Sequence, residues 1–319
     1  GWRIQGYTRP SEMARTLTYT TRRPLGVVGL ITPWNFPWAI PCWKIAPALI
    51  AGNTAVFKPA TPTPLTALKW VEILEEAGLP PGVLNLVMGP GSTVGDEFVN
   101  NPAIQAISFT GSNAVGTRLN QDAAKRGVKV TCEMGGKNAV VVMADADLDM
   151  ALEGIVQGAF GSTGQRCTAT SRVIADRSIV EELTERIVER ARSLKVGDGM
   201  DPSVDMGPAV NSGQLETDLE YIAVAKEGGA RLCAGGRRLT EDGLDQGYFV
   251  EPTVFDQVEP GMRIAQEEVF GPVLSILSAD GYEDAMAKAN DSEFGLTASI
   301  YTRDSTLCLR FVDDAEVGM

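Results

Sequence analysis

The stretch Gly161-Ser162-Thr163-Gly164-Gln165-Arg166-Cys167-Thr168 puts a cysteine behind a glycine-flanked loop, with an arginine directly before it. A nearby cation favours the thiolate, which is the nucleophilic form of the side chain. A lone cysteine is more often a buried thiol, so residue type alone leaves both readings open. Cys42, Cys132, Cys233 and Cys308 lie in apolar runs or ordinary elements and fit the buried thiol better. Glu133 closes an apolar run, VKVTCE, and precedes Gly135, Gly136 and Lys137. A glutamate there is predicted to be partly desolvated, which raises its pKa towards that of a useful base; an ion pair with Lys137 is the competing reading. Asn35, within TPWNFP, offers an amide donor suited to an oxyanion, or else a cap for the following helix.

Phosphate recognition is less direct, because no GxGxxG occurs. Gly111-Ser112-Asn113 and Gly89-Pro90-Gly91 each follow an expected strand and open an expected helix. Backbone N–H groups at such a start can hold a pyrophosphate, although a plain turn has the same sequence pattern. Lys58 ends a strand, within reach of a ribose or phosphate bound at that edge.

The chain of 319 residues has no histidine. That excludes a Ser-His-Asp triad, a Cys-His dyad and zinc sites of the Cys-His types, and leaves carboxylates, lysines and tyrosines as general bases. A net charge of −13 argues against nonspecific binding to nucleic acid or anionic membranes. Five cysteines without a CxxC make neither a disulfide framework nor a metal cluster, so reduced thiols in a cytoplasmic protein are expected. The uncharged residues 24–43 are long enough to span a membrane, but Pro33, Pro37 and Pro41 interrupt them, and no signal peptide precedes them. The chain begins at Gly1 and stops on VGM, which reads as the start of a strand, so a piece of a longer protein is expected.

The elements that must position these residues alternate. Continuous Val/Ile-rich runs predict strands at residues 25–32, 54–57, 83–88 and 104–110, with helices at 37–52, 65–77 and 114–125 between and after them. This rhythm predicts a parallel sheet covered on both faces, with ligands at the carboxyl ends of the strands. The second part is also α/β. It has expected strands at 138–143, 171–175, 249–255, 273–277 and 297–301, and helices at 148–160, 179–194, 282–289 and 305–315. Residues 195–247 read as a glycine-rich polar stretch. The domain break is placed near Gly135-Gly136. Residues 7–24 read either as a protruding two-stranded ribbon or as a frayed terminus.

Taken together, TPWNFP, KPATPTPLTA (58–67), FTGS (109–112), EMGGKN, GQRC and EEVFGPV (267–273) resemble the aldehyde dehydrogenase superfamily, in family order and over essentially the whole chain. The resemblance implies an α/β fold with a Rossmann-type cofactor domain and an α/β catalytic domain, both based on parallel sheets. It implies an oligomerisation ribbon at 1–24, an NAD(P)-binding domain at 25–135 and a catalytic domain at 136–319, with sections missing at both ends. It makes Cys167 the nucleophile, Asn35 with the Cys167 N–H the oxyanion hole, and Glu133 the base for the hydrolytic water. Ile31, Trp34, Lys58, Thr61, Gly91, Gly111, Ser112, Glu268 and Phe270 become cofactor residues, and no metal is implied. NAD-specific members often carry an acid where Thr61 stands, so acceptance of NADP is expected. Arg166 becomes an anchor for a substrate carboxylate, since the sequence context is most similar to 2,5-dioxovalerate (α-ketoglutarate semialdehyde) dehydrogenases. A succinate-semialdehyde or broad-range dehydrogenase is the alternative, and an inactive nucleotide-binding scaffold is the alternative of another class. The expected partners are a small aldehyde and, in a homo-oligomer (dimer or tetramer), further copies of the chain.

Overall fold

A computed structural model describes residues 3–319, which fall into two compact units, Gly1–Met134 and Gly135–Met319. The first unit opens with two short exposed strands, β1 (Thr8–Pro10) and β2 (Leu17–Tyr19), paired antiparallel with Thr8 opposite Tyr19. Then follow β3 (Val27–Ile31), α1 (Ala39–Ile50), β4 (Thr54–Lys58), α2 (Pro64–Glu76), β5 (Leu84–Leu86), α3 (Gly91–Asn100), β6 (Ile104–Thr110), α4 (Asn113–Ala124) and β7 (Lys129–Glu133). The sheet order is β5-β4-β3-β6-β7 and every pair is parallel.

Alternation along β3 explains why both faces are covered. Val28 and Leu30 pack with Ile45 of α1 and Ala67 of α2, while Ile31 packs with Phe98 of α3 and Leu119 of α4. Gly29 lets α3 approach, because a Cβ there would lie 2.6 Å from the Phe98 ring. The chain runs outward from β3 to β5 and then returns to the other side of β3. The carboxyl ends of β3 and β6 therefore flank the topological switch point, where open α/β sheets form their crevice.

The second unit runs β8 (Ala139–Val142), α5 (Leu148–Phe160), β9 (Arg172–Asp176), α6 (Val180–Ser193), α7 (Ser212–Glu227), β10 (Arg231–Ala234), β11 (Thr253–Asp256), α8 (Arg263–Gln266), β12 (Val273–Ala279), α9 (Gly281–Asn290), β13 (Ala298–Tyr301) and α10 (Ser305–Asp314). Its sheet order is β10-β11-β12-β9-β8-β13. One face of the sheet packs Val140 and Val173 against Ile155 and Ile187 of α5 and α6. The other packs Val141, Ile174 and Leu277 against Leu215 and Ile222 of α7 and Met286 of α9. Among the described residues, no helix is long and apolar enough to cross a membrane.

Two expectations need correction. The polar stretch 195–247 contains α7 and β10. The α7 core face is Leu215, Asp218, Ile222 and Ala225, and the aspartate interrupts the apolar period that would announce a helix. The second sheet is parallel-based as expected, with an antiparallel pair only where β10 meets β11 at its edge. The strand expected over 249–255 begins only at Thr253, because Pro252 has no N–H to continue a ladder.

Candidate active site

In the first unit, the carboxyl edge of the sheet collects the expected residues in strand order. Gly91 opens α3 beyond β5. Lys58 ends β4, with Thr61 three residues on. Ile31 ends β3 and leads into Trp34 and Asn35. Gly111 and Ser112 follow β6, and Glu133 ends β7. Ser112 is the N-cap of α4 but its side chain makes no capping bond, and the same holds for Pro90 before α3. Neither helix start is closed by the side chain of its own N-cap residue, a geometry that suits a pyrophosphate.

Three side chains at this edge depart from simple expectation. Lys58 is buried and donates to the Pro59 carbonyl at 3.0 Å, and burial holds its ammonium below the usual lysine pKa. Glu133 is exposed, not partly desolvated, because β7 is the edge strand and its last residue faces outward. Asn35 is not the N-cap of α1, a position held by Trp38.

In the second unit, Cys167 follows a short turn, Gly161–Gly164, that caps α5. Ser162, Thr163 and Gly164 have φ of 54°, 60° and 66°, a left-handed run that must be held by its surroundings. It is held by neighbours: Thr163 Oγ1 donates to the Gly207 carbonyl at 3.1 Å, and the Val210 N–H donates to Gln165 Oε1 at 2.9 Å. Gly164 has a second constraint, since a Cβ there would lie 2.2 Å from the Gly271 carbonyl oxygen. The half-buried Cys167 has its own carbonyl fixed by the side-chain amide of Asn138 at 2.7 Å. None of the five cysteines forms a disulfide.

A narrow cleft here is lined by Gly136, Lys137, Arg166, Glu268 and Phe270. Glu268 accepts from the Gly136 N–H at 3.1 Å, and burial raises its carboxyl above the ordinary range. Phe270 has a φ of 61°. The Arg166 guanidinium donates through Nη2 to the Gln157 carbonyl at 2.8 Å, at the end of α5. Lys137 donates to the Glu267 carbonyl at 2.6 Å, and burial, then the positive Arg172, push its ammonium down to about 7.

Sequence reasoning missed two positions of consequence. Asn138 was visible only as a polar residue directly before the buried AVVV of β8. Lys44, on the core face of α1, donates to Ser108 Oγ at 2.9 Å; burial lowers its ammonium while the nearby Glu133 charge raises it. Its signal was a lone lysine inside an otherwise uncharged helix. Among the described residues, no cluster of carboxylates and thiols is arranged to hold a metal.

These units have close counterparts. The model of the aldehyde dehydrogenase family matches residues 2–319. The α-ketoglutaric semialdehyde dehydrogenase of Bacillus subtilis (strain 168) is 49% identical over 100% of this chain, and the α-ketoglutarate semialdehyde dehydrogenase of Haloferax volcanii is 48% identical over 99% of it. The chain spans 65% of the length of each of these relatives. Among solved structures, betaine aldehyde dehydrogenase from Staphylococcus aureus in complex with NAD+ is 36% identical with a TM-score of 0.96, covering 98% of this chain and 62% of that one.

Proposed function

The chain belongs to the aldehyde dehydrogenase family, and on that premise we propose that it carries the reacting residues of an NAD(P)+-dependent oxidation of 2,5-dioxovalerate to the corresponding diacid. The observation that carries the reading is Cys167 on a strained, pinned loop, beside a cleft lined by Arg166, Glu268 and Phe270. The relatives named for this semialdehyde support the choice of substrate.

In this reading Cys167 Sγ attacks the aldehyde carbon, and the Asn35 amide and the Cys167 N–H stabilise the oxyanion of the thiohemiacetal. A nicotinamide held here would supply the hydride acceptor, and Cys167 would then hold the acyl group as a thioester. Glu133 takes a proton from water, the water attacks the thioester, and the Cys167 thiolate leaves as the acid is released. An exposed carboxylate is accessible to water, so its position on the edge strand suits this role. Arg166 pairs with the distal carboxylate of the substrate.

The residues at the first unit's carboxyl edge fit a dinucleotide. Two helix starts without side-chain caps suit the pyrophosphate, with Gly91, Gly111 and Ser112 at those turns. Lys58 and Thr61 take the adenosine ribose, Ile31 and Trp34 lie along the cofactor at the carboxyl end of β3, and Glu268 and Phe270 meet the nicotinamide end. Residues 25–135 form the cofactor domain and 136–319 the catalytic domain. The β1–β2 ribbon within residues 1–24 mediates homo-oligomer assembly, and the reduced thiols suit a cytoplasmic protein.

The test is an assay of nicotinamide reduction at 340 nm with a panel of semialdehydes and neutral aldehydes. The expected result is highest kcat/KM for 2,5-dioxovalerate. A preference for neutral aldehydes would overturn the substrate assignment, and no turnover of any aldehyde would overturn the activity.

A further inference from the structure

The α7 core face contains a carboxylate where an apolar residue would pack more easily. Asp218 is fully buried, at 0% exposure. Its Oδ1 accepts from the Gln214 amide at 2.8 Å, and the same Gln214 nitrogen donates to the Val269 carbonyl at 3.0 Å. Its Oδ2 is buried and has no hydrogen-bond partner among the described residues. Such a group costs stability and calls for a reason to be present.

The surroundings supply one. Gly271 has no side chain, and the Asp218 carboxyl fills that space: a Cβ on Gly271 would lie 2.0 Å from Asp218 Oδ1. Gly271 in turn places its carbonyl where a Cβ of Gly164 would be, at 2.2 Å. Asp218 therefore backs a turn that contains the strained Phe270 and the half-buried Glu268, and this turn backs the loop that precedes Cys167. A left-handed non-glycine residue persists only where packing and hydrogen bonds over-determine it.

We propose that Asp218 is a positioning residue: through Gln214 and Gly271 it fixes the segment 268–271 in the conformation that receives the nicotinamide end of the cofactor. The proposal rests on the cofactor roles proposed for Glu268 and Phe270. Its chemistry makes the hold sensitive to protonation. Burial pushes the Asp218 carboxyl up to about 7, and no charged neighbour offsets it. The titratable groups on the packed elements are engaged elsewhere. Tyr221 Oη donates to Glu267 at 2.6 Å, Arg263 to Glu267 at 2.8 Å, and Lys137 to the Glu267 carbonyl. Losing the proton places an uncompensated charge behind Gly271, so the hold is firm below neutrality and weakens above it.

The experiment measures NAD+ and NADP+ dissociation constants by tryptophan quenching, without aldehyde, from about pH 6 to pH 8. Wild type, Asp218→Asn and Asp218→Ala are compared in the intact protein. Wild-type affinity is expected to fall with rising pH. Asp218→Asn, which cannot ionise, stays at the low-pH wild-type value throughout. Asp218→Ala binds about ten-fold more weakly at every pH, as expected for a lost buried hydrogen bond. An Asp218→Asn profile that follows wild type overturns the proposal, as does Asp218→Ala binding like wild type. If Asp218→Ala does not fold, the Asp218→Asn profile decides alone. If the wild type binds neither dinucleotide, the cofactor reading fails separately. The positioning claim is then read from iodoacetamide labelling of Cys167, followed by mass spectrometry, where Asp218→Ala must differ from wild type and Asp218→Asn must match it at low pH. Equal rates in all three overturn it.

Discussion

The buried side-chain amide of Asn138 donates one hydrogen bond to the carbonyl of Cys167 at 2.7 Å and a second to that of Ala169 at 2.8 Å. Asn138 directly precedes β8, a strand paired on both sides, so the start of that strand grips the backbone on both sides of Thr168. This fixes the position from which Cys167 projects. Asn138→Ala would leave two carbonyls without their donor, at about 1–3 kcal/mol each if they stay buried. The expected result is a lower Tm together with a lower kcat, measured by calorimetry and steady-state kinetics. Unchanged kcat with a reduced Tm would make Asn138 purely structural.

Gly164 has a φ of 66° and faces the Gly271 carbonyl. Gly164→Ala is expected to cost about 1–3 kcal/mol from strain alone, and more from the clash. Denaturant unfolding checks this. Glycines that face open space, such as Gly91, give the control, with an alanine effect below about 1 kcal/mol.

Lys137 links stability to pH. Its ammonium sits near 7 in the folded chain against an ordinary 10.5, first because of burial and then because of Arg172. Between those values the unfolded chain binds the extra proton, so this group makes stability rise with pH from about 7 upward, and below about 7 its burial penalty is fully present. Urea midpoints at pH 7 and 9 are expected to show the rise, and Lys137→Met to remove it.

Thr61 and Arg166 govern selectivity in the proposed reaction. Thr61→Glu is expected to lower kcat/KM for NADP+ by about ten-fold or more while sparing NAD+, because a carboxylate repels a 2′-phosphate. A wild-type enzyme strongly selective for NAD+ would contradict the role given to Thr61. Arg166→Leu is expected to reduce activity on acidic aldehydes only; a uniform loss would instead assign Arg166 to the state of Cys167.

The β-α-β order of both units was readable because buried parallel strands are continuous apolar runs. The strand Ile104–Thr110 and the helix Leu148–Phe160 fall on the residues expected from the chain alone. The helix α7 was not readable, since Asp218 and the polar residues around it break the apolar period. The candidate site residues were chosen by type and motif, but the residues that support them were not legible. Asn138 and Lys44 act through hydrogen bonds to residues distant in sequence, and Asp218 fills the space beside the distant Gly271; no local pattern announces those neighbours. Glu133 was misjudged in exposure because whether a strand lies at the edge or the centre of a sheet is set by topology.

The most direct test of the central claim is to trap the acyl group on Cys167. Glu133→Gln removes the proposed base for hydrolysis while leaving the nucleophile. Mixed with 2,5-dioxovalerate and NAD(P)+ in the intact protein, this variant is expected to release one burst of reduced cofactor per site. The Cys167 peptide should then carry the mass of the thioester. An adduct on another cysteine, or steady turnover by Glu133→Gln at the wild-type rate, would contradict the account.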